Sequence, residues 1–184
     1  MDTTTMYVII AVVLALVIVG AILAPVFVRR QRSKQFSHQF GTEYDHTVES
    51  MGTEKKAQKE LVERQKHIDT LNIRPLTIPE RDRYLAEWTA VQAKFVDQPG
   101  QATKEADRLI MEVMQLRDYP VSDFEQRAAD ISISYPELVS NYRAAREIAL
   151  KNKQDLASTE DLRQAMILYH SLFGELLETE MVAA

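Results

Sequence analysis

Apolar residues are unbroken in the first part of the chain: from Met6 to Val28 the sequence MYVIIAVVLALVIVGAILAPVFV holds no charge, and Arg29, Arg30, Arg32 and Lys34 follow at once. Residues 6–28 therefore predict a transmembrane helix, because at 1.5 Å per residue they make about 34 Å against a hydrocarbon core of about 30 Å. Fifteen of them are Val, Ile, Leu or Phe, which together favour insertion by roughly 4–9 kcal/mol. Pro25 lacks an amide hydrogen and predicts a bend near the basic end. A cleaved signal peptide fits poorly, since it would want a basic start and small residues before the cut. The first five residues carry Asp2 and no Lys or Arg, and Ile22-Leu23-Ala24 runs straight into Pro25. Ala11 with Ala15 and Gly20 with Ala24 have the small-xxx-small spacing of packed membrane helices. The two pairs lie roughly 180° apart around the helix and cannot build one dimer face.

Beyond the run the pattern switches to helical periodicity. Phe36, Phe40, Tyr44 and Val48 recur every four residues, which aligns them on one side of a helix. Gly41 followed by Thr42-Glu43-Tyr44-Asp45 predicts a stop and a fresh cap, hence two short helices, and Gly52-Thr53 repeats that punctuation. Ala57, Leu61, Ile68 and Leu71 then mark an amphipathic helix ending before Asn72-Ile73-Arg74-Pro75. With Arg64 on its seam and little more than two heptads, it reads as a stalk and not as a dimerising zipper.

From Thr77 onward, Ser/Thr-x-x-Asp/Glu boxes mark helix starts: Thr77 with Glu80, Ser122 with Glu125, Ser134 with Glu137 and Ser158 with Asp161. Pro79 and Pro136 sit in first turns, where a missing amide hydrogen costs little. Between the boxes, Tyr84, Leu85, Trp88, Val91, Phe95 and Val96 predict one core-facing stripe. Ala102, Ala106, Leu109, Ile110, Val113 and Met114 predict the next, after Pro99-Gly100. The closing helix carries Leu162, Met166, Tyr169, Phe173 and Leu176, widened by Ala165, Leu172 and Leu177. The one short alternation, Ile131-Ser132-Ile133, lies between capping boxes, so no strand is expected. The predicted fold class is all-α: an N-terminal transmembrane helix, a helical stalk and a bundle of about five amphipathic helices. The segments are a short tail at 1–5, the transmembrane helix at 6–28, a basic juxtamembrane segment and stalk at 29–76, the bundle at 77–180 and a tail at 181–184.

Charge sets the orientation. Basic residues follow the span and none precedes it, which puts the N-terminus outside and residues 29–184 in the cytoplasm. Setting the basic cluster and Asp2 apart from the overall −5 leaves −8 on residues 35–184, a poor balance for gripping phosphate backbones. Nucleic acid is therefore not an expected partner. The absence of cysteine removes disulfides, thiol catalysis, palmitoylation and prenylation.

Candidate chemistry is sparse. Gly20, Gly41, Gly52, Gly100 and Gly174 are too scattered for a phosphate-cradling loop, and neither a Gly-x-Ser-x-Gly elbow nor a His-Glu-x-x-His motif occurs. Glu43 and His46 have the Glu-x-x-His spacing of di-iron bundles, but such a site needs a second copy. Gln35, Arg64 and Ile167 stand three residues before the other histidines, His38, His67 and His170. Glu43 and Asp45 read instead as first-turn acids favoured by the helix dipole. Asp45 and His46 are adjacent, point apart on a helix and make a poor catalytic pair. Trp88, the only tryptophan, lies on its stripe and reads as packed core. Tyr119-Pro120 and Tyr135-Pro136 mark loop-to-helix junctions, their rings either clamping helices or open to a partner. No catalytic, cofactor-binding or metal residue is assigned, and the chain is not read as an enzyme.

Four phrases, FGTEYDHTV at 40–48, YPVSDFEQRAADIS at 119–132, NYRAAREIAL at 141–150 and STEDLRQAM at 158–166, resemble segments of a family of uncharacterised bacterial proteins. The arrangement is similar too, with an apolar N-terminal segment before a helical domain. The resemblance implies a bacterial inner-membrane setting, and it contributes no activity and no site residue. The expected function is a single-pass membrane protein, embedded in the bilayer through residues 6–28, presenting a cytoplasmic helical domain for protein–protein interaction or self-association as a scaffold or adaptor. Two alternatives stand beside it: an enzyme or metal protein of unfamiliar type, and an extracytoplasmic envelope or sensor domain if the topology is reversed.

Overall fold

A computed structural model describes residues 30–177. The run expected to span the membrane and the tail at 181–184 lie outside the described residues. Among those described, no helix is long and apolar enough to cross a membrane. The chain divides into two compact units, Met1–Gln39 and Phe40–Ala184. In the first, residues 30–39 are helical and largely exposed, including Arg30, Arg32 and Lys34.

The second unit is all-helical over its described residues. It opens with α1 (residues 40–51), followed by α2 (Glu54–Thr70), α3 (Ile78–Phe95), α4 (Pro99–Leu116), α5 (Phe124–Ser134), α6 (Pro136–Lys153) and α7 (Thr159–Leu177). Gly41 takes φ +51° without breaking the helix, so the stop expected there does not occur; Gly52, at φ +74°, does end α1. Both glycines occupy a left-handed conformation that a side chain would oppose.

The caps follow the sequence reading at two of four boxes. Thr77 and Glu80 form a reciprocal box at the start of α3, and Ser158 and Asp161 do the same for α7, each accepting from the other's backbone N–H. The other two differ. Asp123, not Ser122, caps α5 by accepting from Gln126 N–H at 2.9 Å. α6 begins at Pro136 with no side-chain cap, and the Ser134 hydroxyl instead accepts from Tyr119. A carboxylate one residue on and a tertiary partner each outcompete the local serine.

Helix α4 is the centre of the bundle. Ala102, Ala106, Leu109, Ile110, Val113 and Met114 are all fully buried, as predicted. It packs against α3, α6 and α7, while α5 lies on α6 and α2 on α5. The eight predicted core positions of α7 are also buried. On α3 the stripe is narrower than expected: Tyr84, Trp88 and Val91 are buried, but Leu85 is 45% exposed and Val96, at the C-cap, is 83% exposed. α2 does not stand apart as a stalk. Ala57, Leu61 and Ile68 are buried, and α2 packs against α5 within the same compact unit as the bundle.

Candidate functional site

Narrowing the α3 stripe leaves a second apolar row beside the core. Leu85, Trp88, Gln92 and Phe95 recur at three- and four-residue intervals on α3, and Arg163, Ile167, His170, Gly174 and Leu177 do so on α7. These rows are the walls of a groove. Its two cavities both touch His170: one of about 390 Å³ runs from Arg81 and Leu85 to Gly174 and Leu177, the other of about 260 Å³ from Gln92 and Phe95 to Arg163 and Ile167. α3 and α7 therefore run antiparallel along it. Trp88 and Phe173 stack at 4.5 Å between ring centres, with His170 tilted against the indole at 5.5 Å. The buried indole N–H has no hydrogen-bond partner among the described residues. Gly174 is exposed, with open space where a Cβ would stand.

Trp88 is thus core, as the sequence implied, and it also lines the groove. The groove itself was not foreseen. Its walls include Leu85, expected in the α3 core stripe, and Ile167, one position off the α7 stripe, which the structure leaves 45% and 49% exposed.

A second arrangement surrounds Glu43. Its side chain is completely buried and accepts from Arg143 of α6 and from Arg64 of α2, the latter at 3.0 Å. Glu43 is therefore a tertiary anchor, and the first-turn acid favoured by the helix dipole that the sequence suggested is not what the fold makes of it. His46 lies exposed on the same helix and borders two open cavities of about 370 and 400 Å³ beside α6. Among the described residues there is no group of three or more side chains suited to a metal.

A third arrangement is buried between α4 and α7. Burial pushes the Asp107 carboxyl above its ordinary range, against the pull of Arg146, whose Nη1 is 3.6 Å away. The Tyr142 and Tyr169 hydroxyls are raised chiefly by burial and then by Asp107. Among the described residues Asp107 Oδ1 and the Tyr169 hydroxyl have no partner at full hydrogen-bond geometry, while Tyr142 accepts from Arg127 at 3.2 Å. The cluster is mostly buried, with the Asp107 and Arg146 side chains 13% and 24% exposed, and Arg146 also lines the larger cavity beside His46.

The two Tyr-Pro junctions resolve as clamps. Tyr119 is buried and donates to Ser134. The Tyr135 hydroxyl accepts from Arg117, which also reaches the carbonyls of Arg74 and Leu176. No family model, characterised protein or solved structure matches this chain.

Proposed function

We propose that the protein is a single-pass membrane protein, anchored in a bacterial inner membrane through residues 6–28, whose cytoplasmic helical domain is an adaptor that binds another protein. The uncharged run and the basic residues after it support the anchor and its orientation. The observation that carries the interaction reading is the apolar groove between α3 and α7, two facing walls with three- and four-residue spacing. A hydrophobic groove between two helices is the surface into which an amphipathic helix lays its apolar face.

Site-specific photocrosslinking in native membranes tests the reading. A photoreactive side chain at position 167, in the groove, is expected to trap one partner protein, whereas the same group at Leu156, exposed but outside the groove, traps none. Equal products from both positions, or none from either, would sink it. Because the chain has no native cysteine, Lys104→Cys gives a topology check. An impermeant maleimide should label it only after the membrane is opened, and labelling of intact cells would reverse the orientation.

A further inference from the structure

The charges around the α3–α7 groove say more about its occupant. Among the described residues none that lines either cavity is acidic, while Arg81 stands at one end, Arg163 at the other and His170 between them. Among the described residues both arginines pair with exposed neighbours, Asp82 and Glu160, and such pairs hold weakly enough to exchange for a ligand. The wall from Arg81 to Phe95 is about 21 Å long, or four helical turns. Beneath it lies an unpartnered indole N–H, and at Gly174 there is room for a second backbone to come close.

We propose that the groove takes one amphipathic helix of about four turns, apolar on the face that enters and carrying an acidic residue near each end to meet Arg81 and Arg163. The assignment rests on the adaptor reading above and specifies its partner. The apolar face covers Leu85 and Ile167, which the bundle leaves half-exposed. The acidic ends choose partner and register, since complementary rim charges govern specificity more than raw affinity.

Trp88, the only tryptophan in the chain, reports on the groove directly. Full-length protein in detergent micelles is titrated with two helical peptides free of tryptophan, sharing one leucine stripe and differing only in Glu or Lys at the two ends. The Glu peptide is expected to shift Trp88 emission saturably and to bind at least about ten-fold tighter than the Lys peptide, a gap that closes with salt. Ile167→Glu and Gly174→Leu should each abolish the response while circular dichroism stays unchanged. The proposal is overturned by equal affinity for the two peptides, by no response to either, or by binding that survives both substitutions. Self-association that Ile167→Glu breaks would overturn it as well, making the occupant a second copy of the chain. Loss of the charge preference removes this proposal alone; absence of any crosslink from position 167 removes the adaptor reading beneath it.

Discussion

Glu43 and Arg143, 100 positions apart in the chain, form an ion pair in which both terminal nitrogens of the arginine donate to one fully buried carboxylate. Arg64 completes it from α2. A buried carboxylate is tolerated only when charge and hydrogen bonds replace its lost hydration. One side chain thereby ties α1, α2 and α6 together.

Glu43→Ala is expected to cost about 3 kcal/mol, because it leaves the mostly buried Arg143 guanidinium without a counter-ion and Arg64 with Glu60 alone. Arg64→Ala should cost less, since Arg143 still holds the carboxylate. Urea unfolding of the full-length variants measures both, and equal losses would contradict the arrangement.

Asp107→Asn is expected to stabilise the domain at neutral pH. With its carboxyl held above the ordinary range by burial, the folded protein keeps a proton that the unfolded chain releases. Stability therefore falls as pH rises from the ordinary aspartate value, about 4, through the folded one. Asp130 is raised in the same sense, also by burial, and provides the background slope. Thermal unfolding across this range should show an advantage for Asp107→Asn that is small at the acid end, widens with pH and then levels off.

Neighbouring residues at the start of α5 should respond oppositely to what the sequence box suggests. Asp123→Ala removes the observed cap and is expected to cost about 1 kcal/mol, whereas Ser122→Ala should be nearly silent. Denaturation midpoints of the two variants decide the register.

Two glycines should differ in sign. Gly41→Ala is expected to destabilise by about 1–2 kcal/mol, chiefly because its backbone is left-handed. The Glu137 carboxylate, 2.7 Å from the added Cβ, is the end of a flexible side chain and can move aside. Gly174→Ala lies in a helix facing open space and should gain about 0.5–1 kcal/mol. Thermal melts followed by circular dichroism test the pair.

Much of the fold was legible because its signals are local. The buried stripes of α4 and α7 follow from side-chain spacing alone, and the caps at Thr77 and Ser158 from a residue and its neighbour three positions on. Failures occurred where another group competed, adjacent at Ser122, which gave way to Asp123, and distant elsewhere. Ser134 was drawn to Tyr119, α2 was laid against α5, and Glu43 was turned from an expected first-turn acid into the partner of Arg143. None of these can be read from a window of a few residues.

The sequence by itself determined that the domain is helical, where most of its helices begin and which faces are apolar, because hydrophobic periodicity and end-capping act within a turn or two of chain. Only the tertiary structure decided which apolar residues stay uncovered. α3 and α7 meet over α4 with Leu85 and Ile167 left at the rim, and a residue one position off a core stripe is buried or exposed according to the neighbour that packs there. The groove is the product of that packing, and so is the buried carboxylate of Glu43, whose two arginines come from helices that the chain must first bring together.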